Sequence, residues 1–141
     1  MIIMFGDHLP NLEAGFYRKV LGKKEADLSW EQNLTRYQTP YVIWTNYFRP
    51  STETDLSTNY LGSMMLREAN LPLLPYNRLI LETREQMPVI GLNAVKDADG
   101  NWYSTEELPE DLNGLLNRYE IFQYNQVFDR KNLVTEAFAP Q

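Results

Sequence analysis

The sequence predicts an α/β fold: a few central, partly parallel strands, then a small antiparallel hairpin and a long C-terminal amphipathic helix. Three features predict this. Residues 1–5 are an uninterrupted apolar run, the pattern of a strand covered on both faces in a parallel sheet. Residues 39–47 are dense in β-branched and aromatic side chains, the composition of a second strand. Elsewhere apolar residues recur at helical spacing between turn signals.

The elements follow in order. Gly6, Asp7, His8, Leu9 and Pro10 form a loop just past the first strand, where open α/β sheets place their chemistry. Asn11 is a suitable N-cap for a helix whose stripe is Leu12, Phe16, Tyr17, Val20 and Leu21. Gly22 is a natural C-terminal stop, and Lys23 and Lys24 complement the helix dipole. Residues 23–38 read as a surface loop with a short helix near Trp30. Pro40 suits the first residues of the second strand, where no ladder donor is needed.

Ser57 or Thr58 can cap a helix carrying Tyr60, Leu61, Met64 and Met65, which Asn70 ends. Pro75 opens another helix, with Tyr76, Leu79 and Ile80 on its apolar face, and Pro88 stops it. Residues 89–95 read as a third strand. Asp97 to Asn101 is a turn, with Trp102 and Tyr103 returning as a short strand. Ser104 and Glu107 have capping-box spacing. The last helix carries Leu112, Leu115, Leu116, Tyr119 and Phe122 on one face, and the tail from Asn132 reads as loose.

Composition narrows the function. The 141 residues carry 13 Lys and Arg against 19 Asp and Glu, a net charge of −6. So acidic a chain makes a poor general binder of nucleic acid or anionic membrane. Cysteine is absent, which excludes disulfides, thiolate metal sites and thiol nucleophiles. The single histidine, His8, excludes multi-His metal cages and paired-His acid/base schemes within the chain. No apolar run approaches the ~20 residues that span a bilayer, and no signal peptide is recognisable. A chain that opens inside an apolar strand is expected to be the C-terminal piece of something longer.

Three constellations could carry chemistry. Asp7 and His8 are both ligand types for Mn²⁺ or Zn²⁺. In a turn past a strand end they can converge on one ion, although on spacing alone a turn Asp beside a hydrogen-bonded His is the commoner arrangement. Asp97, Asp99 and Asn101 have the start of a calcium loop. Gly100 comes too early and Leu108 stands where a Glu is needed, so a hairpin turn is the better reading. Tyr41, Trp44, Tyr47 and Phe48 beside Arg49 could stack on a ring, yet large aromatics more often build cores. Asn46, near that strand's end, is the most plausible substrate-facing residue.

Residues 1–10, ending Phe5-Gly6-Asp7-His8-Leu9-Pro10, resemble the last metal-binding strand and loop of the sulfatase-like part of the alkaline phosphatase superfamily. Within it the closest resemblance is to the lipoteichoic acid synthase and phosphoglycerol transferase branch. Residues 39–47 resemble that branch's following strand, 57–62 its next helix start, and 116–125 its closing helix. The resemblance implies the C-terminal portion of an alkaline-phosphatase-like fold. Residues 1–141 would be one fragment of the catalytic domain, with the metal-binding and second core strands in about 1–48 and the helices and hairpin in about 49–141.

It also implies a parent enzyme in which a Thr attacks the phosphorus of a phosphoglycerol-headed lipid, assisted by a Mn²⁺-type ion, with Zn²⁺ or Mg²⁺ as substitutes. Asp7 and His8 match as metal ligands. The nucleophilic Thr, an acidic ligand and a substrate-binding His lie upstream in the family, so the chain is expected to be silent alone. Its partners would be the missing N-terminal part of the domain and the phosphoglycerol lipid, with no nucleic acid. The parent would work at the extracytoplasmic side of the cell membrane, and the fragment itself would be soluble. The alternative is a non-catalytic α/β module that associates, with a partner or with itself, through an open sheet edge. An independent small enzyme has least support.

Overall fold

The structure is a computed structural model that describes residues 1–10 and 12–139. It is a mixed α/β arrangement that divides into two compact units, Met1–Pro50 and Ser51–Gln141.

The first unit is built on a two-stranded antiparallel sheet. Strand β1 (Ile2–Phe5) pairs with β2 (Tyr41–Trp44), with Ile2 opposite Trp44, Ile3 opposite Ile43, Met4 opposite Val42 and Phe5 opposite Tyr41. The Gly6 amide extends the ladder to the Pro40 carbonyl at 3.1 Å, the position where a proline's missing N–H does no harm. Helix α1 (Ala14–Leu21) ends on Gly22 in the left-handed conformation (φ 71°), as the sequence predicts. Its N-cap is Glu13, and the cap assigned from sequence, Asn11, lies outside the described residues. Helix α2 (Trp30–Leu34) confirms the short helix near Trp30. It starts with a capping box in which Ser29 Oγ accepts from the Gln32 amide and Gln32 Oε1 accepts from the Ser29 amide.

Two expectations are corrected here. β1 was expected to be a doubly covered parallel strand, but every described strand pairing in the chain is antiparallel. The α1 stripe was expected to pack, but Phe16 and Val20 are 49% and 64% exposed. No described residue of this unit is buried. The apolar pattern marks surfaces suited to burial. Which strand pairs with which is set by the segments at hand, and a hydrophobic period does not encode it.

The second unit holds the core. Helix α3 (Leu61–Glu68), entered through a 3₁₀ turn at Thr58–Tyr60, packs on α4 (Pro75–Gln86). Asn70, at φ 54°, takes the left-handed position that closes α3. Pro75 sits at the α4 N-terminus and Pro88 follows its end, both as predicted. Asn77 ties the two helices, accepting from the Leu74 amide at 3.1 Å and donating to Ser63 Oγ at 3.1 Å. Tyr60, fully buried, donates to the Met87 carbonyl at 2.7 Å.

A three-stranded antiparallel sheet follows, β3 (Val89–Ile90), β4 (Ala94–Lys96) and β5 (Trp102–Ser104), in that order. The single strand expected over 89–95 is instead a hairpin. Gly91, Leu92 and Asn93 turn the chain, the Gly91 amide donating to the Ala94 carbonyl, and Leu92 is left 85% exposed. Helix α5 (Glu110–Val127) buries Leu112, Leu116 and Tyr119, spaced i, i+4, i+7. It begins after Pro109, so the capping box at Ser104 does not form. Ser104 closes β5 and Oγ accepts from the Glu106 amide instead. A proline keeps its preceding residue out of the helical region, which pushes the helix start past it.

The tail is docked, against expectation. Helix α6 (Thr135–Phe138) buries Ala137 and sets the Phe138 ring 5.2 Å from Tyr76. Asn125 holds its approach, accepting from the Val134 amide and donating to the Asn132 carbonyl. Among the described residues no helix is long and apolar enough to cross a membrane.

Candidate metal-ligand pair at the end of β1

Gly6 carries the chain out of β1. A Cβ at this position would lie 2.9 Å from Thr39 Cβ, and Thr39 Oγ1 donates to the Gly6 carbonyl at 2.7 Å. Gly6 has no positive φ, so the glycine serves close approach to the neighbouring strand rather than an unusual turn.

Asp7 and His8 follow, both exposed. Asp7 Oδ1 accepts from the His8 backbone amide at 2.9 Å. His8 Nδ1 lies 3.0 Å from the Leu9 carbonyl. A carbonyl only accepts, so that contact needs a proton on Nδ1, and in the neutral ring it leaves the Nε2 lone pair free. The remaining atoms, Asp7 Oδ2 and His8 Nε2, stand 3.5 Å apart, an ion pair when the ring is protonated and two free donors when it is neutral.

That separation fits a shared ion. Two ligands at metal bonds of 2.0–2.2 Å in tetrahedral geometry stand about 3.4 Å apart. The carboxylate and neutral imidazole are the right donors for Mn²⁺ or Zn²⁺. A backbone carbonyl on the far ring nitrogen is the usual device for orienting a metal-binding histidine. Two donors are half of a four-coordinate shell. Among the described residues no three His, Cys, Asp or Glu side chains gather closely enough to hold an ion.

Asn46 is not brought to this pair. It is exposed and lies beyond the C-terminal end of β2, whereas Asp7 and His8 adjoin the N-terminal end of that strand at Pro40 and Tyr41. The antiparallel register therefore separates Asn46 from Asp7 by roughly 20 Å of strand. The aromatic group flanking Asn46 is largely uncovered, with Trp44 52%, Tyr47 48% and Phe48 92% exposed.

The acidic turn is structural. Asp97 accepts from the Asn101 amide at 2.8 Å, the Asn101 side chain at 2.9 Å and the Tyr103 hydroxyl at 3.0 Å. These bonds, led by the Asn101 side chain, hold its carboxyl below the usual range. Its lone pairs are committed to the β4–β5 hairpin, as the sequence predicts. The parts that sequence reading missed are the Leu9 carbonyl, which every residue supplies and no pattern marks, and Thr39, which lies 33 positions from Gly6.

Comparison with protein-family models, with curated proteins and with solved structures finds no match.

Proposed function

We propose that this chain is the C-terminal region of a metal-dependent phosphoglycerol transferase or related sulfatase-like hydrolase, to which it contributes Asp7 and His8 as two metal ligands. The observation that carries the reading is the 3.5 Å approach of Asp7 Oδ2 to His8 Nε2 at the end of β1, with each residue's other polar atom already bonded. The sequence resemblance over residues 1–10 supports the same pair. A Mn²⁺-type ion there would supply Lewis-acid stabilisation and a nucleophile of lowered pKa. Asp7 and His8 would hold and orient it. The nucleophile and remaining ligands would come from a segment outside residues 1–141, and the parent would act on phosphoglycerol lipid headgroups at the extracytoplasmic face of a membrane.

The test is a Mn²⁺ titration of the whole chain followed by NMR. The His8 ring and the amides of Asp7 to Leu9 broaden first, at millimolar metal, and Asp7→Ala abolishes that selectivity. Equal broadening across the exposed carboxylates would refute the pair. Mn²⁺-dependent cleavage of a phosphodiester by the chain alone would refute the division of the site.

A second reading rests on a different observation. Ile2, Met4, Val42 and Trp44 share one face of the β1–β2 sheet and are each 52% to 60% exposed. Such a surface, on a two-stranded sheet that is marginal alone, suits an interaction module that associates through its sheet.

A further inference from the structure

Two peptide bonds in the second unit share one chemical weakness. Asp99 precedes Gly100, and Asn113 precedes Gly114. In such pairs the glycine nitrogen can close a five-membered ring on the side-chain carbonyl carbon of the residue before it. A glycine leaves that nitrogen open, because it has no Cβ to shield it. In an unfolded chain the asparagine pair reacts faster at neutral pH, since a carboxylate must first be protonated before it can lose water.

The structure reverses that order. All four residues are exposed, so accessibility does not separate the pairs. Backbone conformation does. Asn113 and Gly114 lie near the start of α5, between buried Leu112 and Leu116. The Asn113 amide donates to the Pro109 carbonyl at 2.8 Å, and the Gly114 amide points along the helix axis in the same ladder. Turning it towards the Asn113 side chain would break the ladder where the helix is anchored. Asp99 and Gly100 lie instead at the tip of the β4–β5 turn. Gly100 has φ 90°, and a Cβ on it would meet nothing within 4 Å. Its amide is held by the Asp97 carbonyl at 3.2 Å. The Asn101 amide, the Asn101 side chain and the Tyr103 hydroxyl all donate to Asp97, and among the described residues none donates to the Asp99 carboxylate. Such a tip opens by local fraying without loss of the sheet.

We propose that Asp99 is a site of spontaneous isoaspartate formation in the folded chain, and that α5 protects Asn113 from the same reaction. The Gly100 nitrogen gives up its proton and bonds to Cγ of the protonated Asp99 carboxyl, and a water molecule leaves. The cyclic imide then takes up a water molecule. Opening at one carbonyl restores aspartate, and opening at the other routes the main chain through Cβ and Cγ. Water is the only co-reactant, and the mass does not change. The rearranged turn is longer by a backbone carbon, so the bond from the Asp97 amide to the Asn101 carbonyl, at 3.0 Å, loses its register. The product is of the type recognised by enzymes that methylate isoaspartyl carboxyls. This inference is independent of the metal reading and concerns the second unit alone.

Ageing the full chain at neutral pH, with and without urea, tests it. Trypsin releases residues 97–118 as a single peptide, because no Lys or Arg lies between Lys96 and Arg118. An isoaspartyl-specific methyltransferase with a labelled methyl donor reads the rearranged carboxyl. Mass tells the two sites apart, since Asn113 exchanges nitrogen for oxygen and Asp99 does not. In the folded chain, label accumulates in this peptide at unchanged mass. Asp99→Glu removes the label, because the larger ring closes far more slowly, and leaves the circular dichroism unaltered. In urea the peptide gains mass as Asn113 reacts. Equal mass gain with and without urea overturns the inference, as does label that survives Asp99→Glu. So does a folded chain that stays unlabelled while a free peptide of residues 95–104 becomes fully labelled.

Discussion

Ser57 behaves towards Ile90 as a strand residue would. Its Oγ accepts from the Ile90 amide at 2.7 Å and donates to the Ile90 carbonyl at 2.9 Å, while its own amide donates to the Pro88 carbonyl at 3.1 Å. One hydroxyl thereby satisfies both backbone groups on the outer edge of β3 and fastens the entry to α3 onto the small sheet. Ser57→Ala leaves the Ile90 amide and carbonyl unpaired in a half-buried place. We expect a loss of about 1–3 kcal/mol in urea unfolding. Restoring the hydroxyl with Ser57→Thr should recover part of it.

Gly6 tests how tightly the end of β1 is built. In Gly6→Ala the new methyl meets Thr39 at a distance that carbon atoms do not tolerate, so the two strands must part. The expected cost is about 1–3 kcal/mol of stability in the first unit. Selective Mn²⁺ broadening at His8 should fall with it. Unchanged broadening would show that the Asp7–His8 geometry is set by its own loop alone.

Three tyrosines predict alkaline instability. Burial raises the Tyr60, Tyr76 and Tyr119 phenols above their ordinary value near 10, and for Tyr60 the neighbouring Tyr119 adds to the effect. The folded chain therefore holds these protons more tightly than the unfolded chain. That stabilisation is fully present below about pH 10 and is lost as pH rises through the folded values. Absorbance at 295 nm should show exposed tyrosines ionising first. Tyr60 and Tyr119, both buried, and half-buried Tyr76 should follow only together with loss of far-ultraviolet circular dichroism. Full ionisation of all nine tyrosines with the helices intact would contradict the packing described.

The docked tail makes a prediction opposite to that of a loose one. Removing residues 134–141 takes away buried Ala137, the Phe138 contact with Tyr76 and the bond from the Val134 amide to Asn125. A loss of about 1–3 kcal/mol in the second unit is expected, readable as a lower urea midpoint. Phe138→Ala should reproduce much of it.

Local signals were legible wherever a residue's neighbours in sequence decide its conformation. Gly22, Asn70, Pro75 and Pro88 all act where their backbone chemistry places them, and the Asp97 to Asn101 turn forms for the same reason. The α5 stripe was legible because Leu112, Leu116 and Tyr119 repeat at the helical period. Residues 89–95 look like one strand because the run is mostly apolar, whereas Gly91 and Asn93 break it into a hairpin. In the site, Asp7 and His8 stand out by chemical type, but their convergence depends on a bond to a backbone carbonyl that has no sequence mark.

By itself, then, the sequence determined an acidic, cysteine-free α/β chain, most of its helix and turn boundaries, and a single Asp-His pair at a strand end. These follow from side-chain chemistry and from backbone preferences that act over a few residues. Only the tertiary structure decided that β1 runs antiparallel to β2, that this register carries Asn46 away from Asp7, that Ser57 completes the edge of β3, and that the tail docks on α4. Each of those joins groups far apart in the chain. Their pairing is settled by which surfaces meet in space, and a local hydrophobic period does not carry that information.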